Sequence, residues 1–266
     1  MTNIHPTALI SSEAEIAPDA VVGAYAIIEG PVKIGMGCKI APHAQIVGNT
    51  VIGDGTTVGR GAIIGEAPQD TSFKPATKSG VRLGCHNVIR ELVTIHRGSK
   101  DGGLTEIGDG NFLMAGSHLG HDVKLGHKNI LANAVLLAGH VHVGNNSFLG
   151  GGSVFHQFIR IGDYCVVQGN SAISKDLPHY CAAARLNLIT GLNVIGLRRQ
   201  GFSSEDRRII KDLFDLIYRS GYNLGQAVAA ARQQQWPAHA ERFLQFFETP
   251  SKKGVGTLRS RRSVDE

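Results

Sequence analysis

Aliphatic residues recur at every sixth position from Ile4 through Ile10, Ile16, Val22, Ile28, Ile34, Ile40, Ile46, Ile52 and Val58 to Ile64. The period returns at Leu83, Ile89 and Ile95, then runs unbroken from Ile107 to Ile173. Helices repeat at about 3.6 residues and strands at about 2, so a six-residue period marks a repeat architecture. The fifth position of the early hexads is small or modest: Ala8, Ala14, Ala20, Ala26, Val32, Cys38, Ala44, Thr50, Thr56, Ala62. Large-then-small spacing lets side chains interdigitate inside a narrow coil. Three hexads make one triangular coil of 18 residues, each hexad supplying a short strand and a turn. Glycine at corners, as in Ile52-Gly-Asp-Gly, provides permissive backbone. Stacked coils pair as parallel strands about 4.8 Å apart. The expected fold is therefore mainly β, a parallel β-helix of hexapeptide repeats followed by a small α-helical domain.

Two stretches interrupt the period. Ile64 and Leu83 lie nineteen residues apart, so residues 65–82 are expected to bulge out as a loop. Between Ile95 and Ile107 the spacing stays at twelve, but Asp101 occupies the aliphatic position, and residues 96–106 read as a second, smaller excursion. Binding residues tend to sit on loops carried by a rigid scaffold. The coil is expected over residues 1–185. A helical domain is expected over 186–248, opened by Ser203 as N-cap and with Gly221 stopping its first long helix. Two further helices are expected at about 223–235 and 237–247. Residues 249–266 bury little and read as a disordered basic tail.

Composition adds limits. Aromatics are only 6% of 266 residues, in keeping with a thin aliphatic core. The net charge of +5 comes largely from the tail, where Lys252, Lys253, Arg259, Arg261 and Arg262 face Asp265 and Glu266. Neither that balance nor any motif points to nucleic acid. The four cysteines lack pairing or metal-knuckle spacing, and Cys38 and Cys165 fall on the small inward position. Neither a signal segment nor an apolar run long enough to span a membrane is present, so a cytoplasmic protein without stable membrane insertion is expected.

Six of the twelve histidines lie between residues 118 and 156. Residues eighteen apart stack directly in a regular coil. His121, Gly139 and Gln157 therefore form one column; Asp122, His140 and Phe158 form the next; Gly120, Ala138 and His156 the one before. His118 lies three residues back on the coil of His121. Such a cluster allows three readings: a general base working near neutral pH, a zinc site as in hexapeptide-repeat carbonic anhydrases, or ordinary surface polarity. The last reading suits His127 and His142, which lack a matching column partner.

The runs VTIHRGS, GDGNFLMAGSHLGHD, ILANAVLLAGH, GGSVFHQFIRIGD and GLNVIGLRRQGFS, with Gln69-Asp70 upstream, closely resemble the bacterial acyl-carrier-protein–UDP-N-acetylglucosamine O-acyltransferases. The resemblance covers about Ile4 to Gly221 and implies a left-handed β-helix, a homotrimer, and the first step of lipid A biosynthesis. It implies a 3-hydroxyacyl group moved from acyl carrier protein, where phosphopantetheine carries it, to the sugar 3-hydroxyl. No metal or further cofactor is implied. His121 matches the general base, Asp122 the group supporting its imidazole, and Gly139 the N–H donor to the thioester oxygen. His118, His140, His156 and Gln157 match substrate contacts, and Gly169 the position of an acyl-chain ruler, left open by glycine. Asn193 and Arg199 match nucleotide contacts; Gln69, Asp70 and Lys74 match loop contacts. Ile195 and Gln200 depart from the family, standing where some members carry glutamate and a second arginine. That leaves a 3-amino sugar analogue as an alternative acceptor. A related N-acyltransferase of the same pathway usually carries an extra N-terminal domain, whereas this repeat begins at Ile4.

Overall fold

The computed structural model describes residues 3–258, and over that range the hexads form a left-handed parallel β-helix. Each hexad contributes a strand of two to four residues whose aliphatic side chain points inward. The strands assemble into three flat sheets of twelve, nine and eight members, and successive coils stack in register, as in Ile4↔Val22↔Ile40↔Val58. No helix among the described residues is long and apolar enough to cross a membrane.

The register reveals what the two interruptions are. Val58 pairs with Ile89 and Ile89 with Leu113, spacings of 31 and 24 residues, before Leu113↔Leu131 restores 18. Both extra lengths leave the helix at one corner, between the nine-stranded and eight-stranded sheets, on consecutive coils. The first excursion is shorter than expected, because strands Ile63–Glu66 and Gly80–Leu83 take up its ends. The second likewise narrows to residues 97–103, between Thr94–His96 and Leu104–Ile107. Asp101 does not face the interior: its carboxylate accepts the Lys78 N–H at 2.7 Å, pinning one loop to the other.

A polar seam runs inside the later coils, where the fifth position changes from small residues to asparagine. Asn111 N–H donates to the Asn87 side-chain oxygen, Asn129 N–H to Asn111, and Ser147 N–H to Asn129, each at 2.9 Å. Their amide nitrogens donate to carbonyls of Gly84, Gly108 and Gly144 at 2.8–3.1 Å. Every one of these side chains is buried, and burial without such partners would be strongly unfavourable. The hexad rule describes shape at this position; the corner carbonyls supply the chemistry.

The expected helical region differs in its details. The Leu188–Leu192 strand pairs antiparallel with Cys181–Ala184, so a boundary at 185/186 would cut a hairpin. A short helix not anticipated from the sequence, α1 (Val194–Arg199), is capped by Asn193. Helix α2 (Ser204–Arg219) opens with a capping box between Ser203 and Asp206, and Gly221 follows it at φ +85°. Helices α3 (Leu224–Ala231) and α4 (Ala238–Glu248) pack Ala227, Ala231, Phe243 and Leu244 against its buried Ile210, Leu213, Phe214 and Ile217. The Tyr180 hydroxyl donates to the His239 carbonyl at 3.0 Å, joining coil to helices.

The tail expectation is corrected over its first ten residues. Thr249 to Leu258 fold back onto the coil: Val255 bridges Asp176, and Thr257–Leu258 adds a strand beside Leu188–Leu192. Composition hid this because the anchors are backbone groups, which carry no side-chain signature. Residues 259–266, the rest of that expectation, lie outside the described range.

Replacing Asn111 by alanine orphans the buried Asn129 N–H and one lone pair of Asn87. We expect about 2–3 kcal/mol of lost stability by chemical denaturation, whereas an unchanged midpoint would show the seam to be energetically idle.

Candidate active site

The nine-stranded sheet presents His118, Leu136 and Val154 outward on three successive coils. With the following corner they line a cleft of about 390 Å³, together with Gln69, His96, His121, Gly139 and Gln157. At its centre His121 Nδ1 lies 2.8 Å from Asp122 Oδ2, both side chains less than a fifth exposed. A carboxylate only accepts, so Nδ1 is the donor in this pair, and in the neutral ring the lone pair is on Nε2. Asp122 occupies a left-handed corner position (φ 58°), as do His140 and Phe158 in the same column. Its backbone N–H donates to Thr105 Oγ1 at 2.9 Å, and its carboxylate accepts the Ser99 N–H from the second excursion at 3.1 Å. Burial alone would raise the Asp122 carboxyl, yet hydrogen bonds from Ser99 and His121 outweigh it and hold the group below the usual carboxylate range.

Gly139 stacks on His121 as the column predicts. A Cβ there would stand 2.5 Å from His121 Nε2, so only glycine lets the imidazole lie beneath that corner. Among the described residues the Gly139 N–H has no acceptor, and Gly139 lines the cleft.

His96 was not picked out from the sequence. The six-residue excursion shifts the local register, so His96 stacks on Gly120 instead of the residue eighteen further on. It is 5% exposed and meets His118 edge-on at 4.8 Å. Its place at position two of a repeat, just before a break in period, was the available signal. His118 shares a 2.8 Å hydrogen bond with Thr94 Oγ1. Burial, then the nearby His96 and His121, push its imidazole down to about 4. Burial likewise lowers His96 and His140. His140 meets His121 edge-on at 5.1 Å.

The remaining expected residues scatter. Gln157 and Gln69 reach the cleft; Asp70 lies on the loop beside it, its carboxyl lowered first by the Ser72 N–H and slightly by His121. His156 is exposed and donates from Nδ1 to the Gln157 carbonyl at 3.1 Å, and Lys74 is exposed on the loop. Gly169 lies at another corner, where a Cβ would stand 2.9 Å from the Gly151 carbonyl oxygen. Asn193 and Arg199 line a separate hollow of about 590 Å³ over the twelve-stranded sheet, with Ile195 and Gln200. One chain thus does not unite them with His121. The Asn193 side chain caps α1 through the Gly196 N–H at 3.0 Å and donates to the Tyr164 carbonyl at 2.9 Å. His127, expected to be plain surface, accepts the Asp109 N–H in a corner ladder.

Comparison with known proteins decides the family. Residues 176–256 match the model described as Udp N-acetylglucosamine O-acyltransferase, Domain 2, and residues 13–48 and 31–66 match bacterial transferase hexapeptide repeats. Over 256 residues, 95% of this chain and 98% of the relative, it is 41% identical to the acyl-[acyl-carrier-protein]–UDP-N-acetylglucosamine O-acyltransferase of Syntrophobacter fumaroxidans. The chain belongs to this O-acyltransferase family. The Campylobacter concisus member is 40% identical over 84% of this chain and 86% of its own length. The solved UDP-N-acetylglucosamine acyltransferase of Campylobacter jejuni superposes with a TM-score of 0.91 at 36% identity, covering 96% of this chain and all of that one.

His118 is expected to stay neutral across the physiological range, titrating near pH 4. Because its folded value is depressed, the stability it supports is lost as pH falls from about 6.5 toward about 4. Imidazole NMR titration checks this; a midpoint near 6.5 would contradict the burial argument.

Proposed function

We propose that this O-acyltransferase moves a 3-hydroxyacyl group from acyl carrier protein to the 3-hydroxyl of UDP-N-acetylglucosamine, the first step of lipid A biosynthesis. The reading is carried by one arrangement: His121, fixed through Nδ1 on Asp122, with Nε2 free in the cleft under Gly139. Family membership supplies the substrates; the geometry supports the proposed roles.

Nε2 takes the proton of the sugar 3-hydroxyl as its oxygen attacks the thioester carbon. Asp122 stabilises the imidazolium that forms. The charge growing on the thioester oxygen is met by the Gly139 N–H, which needs no reorganisation. As the carbon–sulfur bond breaks, the imidazolium gives its proton to the departing thiolate, which leaves as the pantetheine thiol. Atoms and charge balance without a covalent acyl-enzyme. His96, His118 and His140, all lowered by burial, act as neutral hydrogen-bonding walls that leave His121 as the base.

Gln69, Asp70 and Lys74 on the first loop, with His156 and Gln157, are proposed as contacts around the sugar and the acyl carrier, and Gly169 as the open end of the acyl groove. Asn193 and Arg199 are proposed for the nucleotide. Since they line a different face, a closed homotrimer is the assembly that would bring one chain's hollow to its neighbour's cleft. A cytoplasmic location follows from substrates of this kind. The protein is proposed to need no cofactor of its own beyond the pantetheine of its donor. His121, Asp122 and His140 place ligand atoms within 4.8 Å of one another, so zinc binding is the competing reading that chelation tests.

Purified protein, acyl carrier protein loaded with a mixed pool of 3-hydroxyacyl chains, and UDP-N-acetylglucosamine or its 3-amino analogue test this by product mass. His121→Ala should lower kcat about a thousandfold, with chelator inert. Wild-type turnover in that variant would remove His121 as base; stoichiometric zinc with loss on chelation would favour the hydratase class instead. Gly139→Ala should lower kcat roughly a hundredfold, since its methyl displaces the His121 ring.

A further inference from the structure

The Thr249–Leu258 segment is not needed to complete any coil, yet it is tied down along its length. The Arg160 guanidinium donates to the Thr249 carbonyl at 3.1 Å. Asp176 gives its N–H to the Gly254 carbonyl at 2.8 Å and accepts the Gly256 N–H at 2.9 Å. Arg160 also holds the buried Asp176 carboxylate at 2.8 Å, so the two residues that bind the strap are paired with each other. The result is a fixed place for Lys252, whose Nζ lies 4.9 Å from the centroid of the Phe158 ring.

Phe158 stacks on His140 at 4.6 Å, nearly parallel at 10°. His140 in turn touches both members of the catalytic pair: His121 edge-on, and Asp122 Oδ2 at 3.6 Å from its Nε2. That carboxylate oxygen is the one that orients His121 at 2.8 Å. A protonated or displaced His140 would therefore compete with His121 for a single acceptor. We propose that Lys252 is a positioning residue for acyl transfer, capping the Phe158–His140 stack so that Asp122 Oδ2 stays committed to His121. The proposal rests on His121 being the base, as argued above.

The physical basis is twofold. A cation over a ring face is held by the ring quadrupole, and this restrains Phe158 and the imidazole beneath it. The positive charge also disfavours a second charge on His140. Burial, His121, Lys100 and Lys252 all hold His140 down against the opposing pull of Asp122, and His142 lies within reach of the same field. A neutral His140 attracts the carboxylate less strongly than an imidazolium would.

Lys252→Met, Lys252→Arg and the neighbouring control Lys253→Met separate the possibilities, since Lys252 is exposed and its loss leaves the core intact. Lys252→Met should lower kcat roughly fivefold, with KM for both substrates unchanged and the His140 titration midpoint raised. Arginine, which also stacks on ring faces, should restore both; Lys253→Met should alter neither. A raised KM at constant kcat would make Lys252 a substrate contact and overturn the proposal. So would an unmoved His140 midpoint, or equal effects from both methionine variants. The His140 titration is read without substrate, so it stands or falls apart from the identity of the reaction.

Discussion

Parallel backbone pairing between successive coils is the constraint on which everything else depends. Each short strand satisfies its hydrogen bonds only on the coils above and below, so a residue's height and face follow from its position modulo the local coil length. The interior must be filled at every level by one large and one compact side chain per hexad. The corners must turn through a left-handed residue, and non-glycine side chains such as Asp122, His140 and Phe158 accept that conformation at a cost on the order of 1 kcal/mol each. In exchange, side chains from distant segments stand within contact distance without any loop having to be ordered around them.

The site uses this regularity and one departure from it. The regular part puts Gly139 on His121 and His140 on Asp122. The departure is the extra length let out twice at one corner, which brings His96 beside His118 and lays the Ser99 N–H on Asp122. The first loop then reaches over with Gln69 and is tied to the second through Lys78 and Asp101. An insertion thus acts as a change of register, altering which residues meet on every coil it separates.

Protonation is divided within the cluster by the same packing. Burial lowers three imidazoles around His121, and the Asp122 carboxyl is held low by hydrogen bonds from Ser99 and His121. On the proposed reading, the cluster offers one base with neutral neighbours instead of a diffuse cationic patch. The C-terminal strap belongs to that arrangement, since Lys252 lies over the ring that backs His140.

The hexad, read directly, determined the coil, its three faces, and the columns containing His121, Gly139, Asp122 and His140, because side-chain placement in a stacked repeat is a matter of counting. Motif resemblance carried the chemistry further, to a base, its carboxylate and an open N–H. Counting failed wherever spacing alone hides the path of the chain. The twelve residues from Ile95 to Ile107 keep the six-residue arithmetic while inserting an extra hexad's length, and this concealed His96. The asparagine seam was invisible because a polar residue in an inward slot makes sense only once the corner carbonyls face it. The strap was missed because backbone hydrogen bonds leave no mark in composition. Only the tertiary structure decided that Asn193 and Arg199 face away from His121, since which outer face a helical appendage covers depends on packing that no local pattern records.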